Sequence, residues 1–413
     1  MIKILILGGG FGGIRTALNL EKKIGSEAKI TLIDKNNYHL FVPALYEVAS
    51  AYGLPKDPFT LRLKKTICVP YSDIFENKNI NFMQAEISAI DTENKKIVTE
   101  GGEILDYDYL VIALGNQVSD FGVPGVKEYA FQFKDLEDAL LLNRKIDELI
   151  KEVAAGIRPR PIKMAVVGAG LTGVEVAAEF ACWIKKLAKA IGIKGKCERI
   201  MLLESGPKIL SQISDDDRKI ILKRLTRLGV EVVENMAAEE AGSDYIKLKT
   251  GKQVETDLII WTAGVRLPDL LEKTPLLSLT ENKKIKVNKN LDIAALPGVF
   301  AVGDNIEFMD TKTGKPVPAL AYLAVDQGKI VAKNILRLIN NKKLVEYEPS
   351  YGVWIAPVGG KYALAHIWSF RISGFLGWVI REMVDFRYML SILPIKKAVS
   401  ILRQEITLFT KND

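Results

Sequence analysis

Two glycine clusters constrain this chain more than any other feature. The first, GGGFGG, follows the apolar run KILIL, and Gly8, Gly10 and Gly13 fit the spacing GxGxxG. The second lies in MAVVGAGLTGVEVAAEF at 164–180 and repeats the spacing with Gly168, Gly170 and Gly173. Each cluster ends a strand-like run and opens a helix-like one. In that setting the first glycine permits a tight turn, the second lets backbone approach a diphosphate, and the third lets helix and strand pack closely. The diphosphate then rests on unpaired N–H groups at the positive end of the helix. A further strand-like run follows each cluster and ends in an acid, Asp34 after KITLI and Glu204 after ERIMLL. Such a carboxylate accepts hydrogen bonds from adenosine ribose hydroxyls and repels a 2′-phosphate, so Glu204 favours NADH over NADPH. Two dinucleotides in one chain imply a relay between cofactors, and the usual pair is flavin and nicotinamide.

The rest of the sequence fits around these loops. Strand-like runs at 3–7, 29–33, 109–114, 162–167, 198–203, 257–261 and 299–302 alternate with longer helical patterns, which predicts an α/β chain with two Rossmann-type dinucleotide-binding domains. Candidate crossings between them are the turn-rich 116–126 and RPRPI at 158–162, with a return near 288–298. The expected division is 1–118 and 292–345 for the first domain, 119–291 for the second, and 346–413 for a C-terminal segment.

Lysine and arginine exceed aspartate and glutamate by 57 to 50, an excess that suits phosphate ligands or an anionic membrane surface. No dense basic block of the kind that grips nucleic acid is present. The cysteines Cys68, Cys182 and Cys197 form no CxxC pair, and only His39 and His366 are available besides, so a metal site is not expected and a reducing compartment is. The apolar start is too short for a signal peptide and ends in glycines, which reads as a strand in a cytoplasmic protein.

From residue 370 the composition turns to large apolar and aromatic residues, interrupted by Arg371, Arg381, Glu382, Asp385 and Arg387. No run approaches the roughly 20 apolar residues of a membrane span. After Pro394, the residues Ile395, Ala398, Val399, Leu402, Ile406 and Phe409 recur at helical spacing, and residues 371–413 hold seven basic and four acidic groups, a net +3. That predicts amphipathic helices lying on an anionic lipid surface, with Phe375, Trp378 and Tyr388 as headgroup anchors. The same stripe would also serve a homodimer interface.

The sequence resembles the two-dinucleotide-binding-domain flavoproteins, and more closely the type II NADH dehydrogenases, the monotopic NADH:quinone oxidoreductases. The markers are GGGFGG, NYHLFVPALYEVA at 37–49, YDYLVIALG at 107–115, GAGLTGVEVAAEF at 168–180, LIIWTAGV at 258–265, VFAVGDN at 299–305 and PALAYLAVDQGKIVAKNI at 318–335. The resemblance implies FAD on the first loop, with Gly8, Gly10, Phe11, Gly12, Gly13, Asp34, Lys35 and Pro43, and with Ala113, Leu114, Gly115, Gly303 and Asp304 along the flavin nucleotide. It implies NADH on the second, with Gly168, Gly170, Gly173, Glu204, Ala263 and Gly264. Glu175, in the first turn of the second-loop helix, would stand near the nicotinamide and flavin and orient the one or relay protons toward quinone. Ala321, Tyr322 and Gln327 would flank the flavin ring and the quinone entrance, Tyr322 standing where the family usually has glutamine. The implied activity is transfer of electrons from NADH through FAD to membrane quinone without proton pumping, by a peripheral enzyme on the cytoplasmic face of the cell membrane. A sulfide:quinone oxidoreductase would need redox cysteines on either side of the flavin, and none follows Cys197. A disulfide reductase would need a CxxxxC pair soon after Asp34, and residues 35–67 contain no cysteine. A non-catalytic flavoprotein sensor is the remaining alternative.

Overall fold

A computed structural model describes residues 1–51, 64–159, 161–193, 195 and 197–409. Its frame is two five-stranded parallel sheets of the same design. In the first, the strands run in the order Val299–Ala301, Tyr109–Ile112, Ile2–Leu7, Ala28–Asp34, Ile80–Gln84. In the second the order is Ala130–Gln132, Leu258–Trp261, Ile162–Val167, Glu198–Leu203, Glu231–Val233. The seven expected strand runs fall on these strands, within two residues at each end. The strand before each glycine loop is central, pairing on one side with the strand that ends in the acid, Leu7 opposite Ile33 and Val167 opposite Leu203. Both loops therefore open at the carboxyl edge of a parallel sheet, where such folds bind ligands.

The central strands are buried on both faces, as their near-continuous apolar runs demand. Helices Phe11–Ile24 and Leu171–Ala190 cover them, the first burying Ile14, Ala17, Leu18 and Leu20. Helix Ala321–Ile339 lies against the first of these so closely that a Cβ on Gly328 would stand 2.6 Å from the carbonyl oxygen of Gly12.

Each half also carries a three-stranded antiparallel meander, Ile87–Asp91 with Lys96–Thr99 and Ile104–Asp106, and Ala238–Ala241 with Tyr245–Leu248 and Gln253–Glu255. These strands are short and half-exposed, so their apolar signal is weak in the sequence. The turn-rich stretch at 116–126 does lead from one sheet to the other, and there Gln117–Val118 pairs antiparallel with Val265–Arg266. The 158–162 segment is not a crossing: residues 130–132 already belong to the second sheet, and 158–162 leads into its central strand.

The chain ends in an antiparallel sheet, Val353–Pro357, Ala363–Ile367 and Phe370–Gly374, followed by helices Phe375–Ile392 and Ile395–Phe409. The break between them follows from Pro394, which holds Leu393 extended at φ −121° and ψ 155°. The stripe expected on the last helix is divided, since Ala398 is buried while Ile395 is 67% exposed. Lys397 is spent within the protein on Asp73 and Glu76, at 2.7 and 2.8 Å.

The two loops give a contrast within one motif. Gly8 has φ +96°, and a Cβ there would stand 2.3 Å from the Ala113 oxygen, whereas a Cβ on Gly10 meets nothing within 4 Å. Gly8→Ala is expected to cost about 1–3 kcal/mol of strain. Gly10→Ala is expected to leave the stability of flavin-free protein within about 0.5 kcal/mol. Denaturant midpoints of the two variants check this.

Candidate functional site

Both glycine loops leave the starts of their helices without any side-chain cap, and no acidic residue stands in either first turn. The N-caps are Gly10 and Gly170, with nearly equal backbone angles, φ −74° and −70°. The first backbone N–H groups of both helices thus lack intrahelical partners and face a space that a Cβ at Gly10 or Gly170 would enter freely. A Cβ on Gly13 or Gly173 would instead stand 1.9 Å from the oxygen of Gly8 or Gly168, so these positions hold helix and strand together. Phe11 and Gly12 occupy the first turn of the first helix, Gly12 against Val302.

The two acids act in parallel. Asp34 accepts the Gly9 N–H at 2.7 Å and the Asn36 N–H at 2.8 Å. Glu204 accepts the Ala169 N–H at 3.0 Å and the Gly206 N–H at 2.7 Å. Each carboxylate is tied to the loop residue after the first glycine and retains lone pairs for a ribose. Burial raises the pKa of Asp34, and the backbone donors oppose that rise. Lys35 is exposed beyond Asp34, its carbonyl accepting from Gln84.

A second group of residues extends the first loop. Ala113, Leu114 and Gly115 follow the strand beside it, and the Gly115 N–H donates to Asn305 Oδ1 at 3.0 Å. Asp304 accepts from the Asn116 amide at 2.7 Å, and Asn116 in turn accepts from the Lys134 ammonium, whose pKa burial lowers. Gly303, at φ +82°, gives its N–H to Gln327 Oε1 at 2.7 Å. Gln327 is 4% exposed and braces the Gly303–Asp304 turn. It lines a small cavity with Gly303, Asp304, Pro318, Leu323 and Ala324. Ala321 and Tyr322 begin the helix above, and burial pushes the Tyr322 hydroxyl up to about 12. In the second half, Ala263 packs on Gly168, and Gly264 turns at φ +72° against the Phe121 ring.

Glu175 is the fifth residue of helix Leu171–Ala190, beyond the first turn where the sequence reading put it. It is half-buried beside an ion cluster that sequence reasoning missed. Arg381, from helix Phe375–Ile392 and 5% exposed, pairs with Glu47, with Glu382 at 3.2 Å and with Asp385 at 3.4 Å. It also donates to the Pro43 carbonyl at 3.3 Å and lies over the Tyr46 ring. Burial pushes the Glu175 carboxyl up to about 8; Arg381 opposes this, while Asp385 and Glu47 add to it. Asp385 is raised to about 6 by the same burial. A carboxyl group that titrates near neutrality can both give and take a proton. The sequence did carry a signal for the cluster, because charges within an otherwise apolar helix need buried partners.

Tyr388, expected as a lipid anchor, points inward instead. Its hydroxyl lies 2.9 Å from His39 Nε2, and its ring packs on Phe11 and Phe41. Among the described residues, no group of histidine, cysteine or acidic side chains could hold a metal ion.

The chain matches the family model described as pyridine nucleotide-disulphide oxidoreductase over residues 2–328. It is 30% identical over 396 residues to the type II NADH:quinone oxidoreductase of Staphylococcus haemolyticus, covering 94% of this chain and 96% of that one. The structure of NDH2 from Plasmodium falciparum, solved in complex with NADH, superposes with a TM-score of 0.83 at 20% identity, over 99% of both chains. The sulfide:quinone oxidoreductase of Aquifex aeolicus superposes at 0.77 with 22% identity, over 94% of this chain and 91% of that one. At these identities the two structures share the fold.

The raised Glu175 pKa makes a prediction about folding. A carboxyl group held protonated by the fold contributes stability at pH below its ordinary value of 4.5, and loses it as pH rises toward the folded value of about 8. Glu175→Gln keeps the neutral shape. Its denaturant midpoint is expected to fall less than that of the wild type between about pH 5 and 8.

Proposed function

This chain belongs to the pyridine nucleotide-disulphide oxidoreductases and, within them, to the type II NADH:quinone oxidoreductases, and from that membership we propose how its residues divide the work. The enzyme oxidises NADH and reduces quinone through FAD, with no proton pumping. When bound, FAD supplies the two-electron chemistry between the nicotinamide and the quinone.

The residues fit that cofactor pair. Gly8, Gly10, Phe11, Gly12, Gly13 and Asp34 would hold the FAD diphosphate and ribose, with Ala113, Leu114, Gly115 and Asp304 along the remaining nucleotide. Gly168, Gly170, Gly173 and Glu204 would hold NADH, with Ala263 and Gly264 below the nicotinamide. The observation that carries this assignment is the matched pair of uncapped helix starts, each with a strand-end carboxylate bonded back to its loop. Glu175 holds or moves a proton where the second-loop helix meets Arg381 and Glu47. Tyr322 stands at the first turn of its helix, positioned to bound the quinone entrance. The division proposed is 1–118 with 292–345, 119–291, and 346–413; the passage of the chain from one five-stranded sheet to the other between residues 112 and 130, and back between 261 and 299, supports it.

Among the described residues no helix is long and apolar enough to cross a membrane. Contact with lipid is proposed for the end of the chain, where Trp368, Phe370, Phe375 and Leu376 are 73%, 70%, 58% and 65% exposed. Four large apolar groups at one hairpin and the adjoining helix start suit a bilayer surface. The same tail would join two copies in a homodimer on the cytoplasmic face.

Anaerobic addition of NADH to the purified protein is expected to bleach the oxidised-flavin absorbance, and a quinone to restore it. NADPH is expected to act at least about tenfold more slowly. No bleaching by either nucleotide would overturn the reading. Glu175→Gln should leave bleaching by NADH intact while slowing the return by quinone; an unchanged return would remove the role given to Glu175. On flotation with vesicles containing anionic lipid, the protein is expected to bind, and Phe370→Ser/Phe375→Ser/Leu376→Ser to lose most of that binding.

A further inference from the structure

The first glycine loop is held from behind by side chains that no nucleotide would touch. The Gly9 carbonyl accepts two hydrogen bonds, from the Tyr71 hydroxyl at 3.0 Å and from His39 Nδ1 at 3.1 Å. A carbonyl can only accept, so Nδ1 carries the imidazole proton and Nε2 is left as an acceptor. Its donor is the Tyr388 hydroxyl at 2.9 Å, from helix Phe375–Ile392. His39 is fully buried, and burial lowers its pKa to about 4, which keeps this tautomer neutral across the physiological range. Phe11, Phe41 and Tyr388 enclose the imidazole, with the Phe11 ring edge-on to His39 at 4.9 Å between centroids. Among the described residues no carboxylate is bonded to the imidazole; Asp34 accepts the Gly9 N–H and stands close to the Tyr71 hydroxyl.

In a trans peptide the carbonyl and the following N–H point in opposite directions. Holding the Gly9 carbonyl therefore fixes the aim of the Gly10 N–H, the first donor of the uncapped helix start. A second tie runs alongside: Arg15, 8% exposed on the same helix, donates to the Ser391 hydroxyl at 2.5 Å, and Ser391 donates to the Tyr388 carbonyl at 2.6 Å.

We infer that Tyr388, acting through His39 on Gly9, is a positioning residue for the flavin diphosphate, so that helix Phe375–Ile392 is a working part of the FAD site as well as a surface element. The inference rests on the reading that the first loop holds FAD. Seating of the helix and retention of the flavin are then one event, linking the end of the chain to its first turn.

The test uses the full-length flavoprotein and follows the rise in flavin fluorescence as FAD dissociates after dilution. Tyr388→Phe keeps the ring packing and removes only the hydroxyl, and is expected to release FAD about tenfold faster. Because loss of the hydroxyl leaves the buried His39 Nε2 without its donor, the flavin-free protein is expected to lose some stability as well, so the double variant supplies the discriminating readout. His39→Ala is expected to release FAD faster still, and the double variant His39→Ala/Tyr388→Phe no faster than His39→Ala alone. A wild-type release rate in Tyr388→Phe, or additive effects in the double variant, would each overturn the inference. Wild-type protein that binds no FAD would overturn the underlying reading, a result recognisable before any variant is compared.

Discussion

Everything in this fold that concerns chemistry depends on helix starts whose N–H groups have no partner in the chain. A glycine N-cap gives nothing back to the first turn, so each helix begins with donors pointing at open space, a condition that costs stability unless water or an anion satisfies them. The surrounding structure accepts that cost and orders it. Asp34 and Glu204 each bind the loop N–H nearest the strand and leave the remaining donors for a ligand. Because the central strands are buried on both faces, the loops sit on a frame with little freedom to relax around an empty site.

A different constraint governs the place where the halves and the tail meet. Arg381 is a buried cation, and removing a charge from water is affordable only among well-placed partners. Glu47, Glu382 and Asp385 provide them, while Tyr46 covers the guanidinium face. Burial raises the carboxyl groups around the cation, Glu175 to about 8, Asp385 to about 6, and Glu405 upward as well. The same pairing draws helix Phe375–Ile392 onto residues 43–47, which lie in the flavin half.

Much of this was legible in the sequence because it is local. A glycine loop between a strand and a helix, and an acid at the end of the next strand, lie within some tens of residues of one another and obey backbone geometry. The ion cluster was not legible in the same way, since Glu47 and Arg381 are 334 positions apart and only the folded chain shows that they pair. Tyr388 shows the limit of periodicity: in an amphipathic helix, an aromatic residue reads alike whether it faces lipid or a buried histidine. Gln327 was expected beside the flavin ring; that its amide oxygen accepts the Gly303 N–H is something no spacing rule reveals.

The two connections between the sheets are joined as well as adjacent. Gln117–Val118 pairs with Val265–Arg266, the Ser119 N–H donates to the Gly264 carbonyl at 3.3 Å, and the Trp261 indole donates to the Ser119 carbonyl at 2.8 Å. A single strand of linker would let one half swing freely about the other. A laced pair of strands resists sliding and separation and yields most easily to twist. With the Asn143 amide also bonded to the Ala49 and Ala51 carbonyls, at 2.9 and 3.1 Å, this lacing holds the second half against the first in one registration.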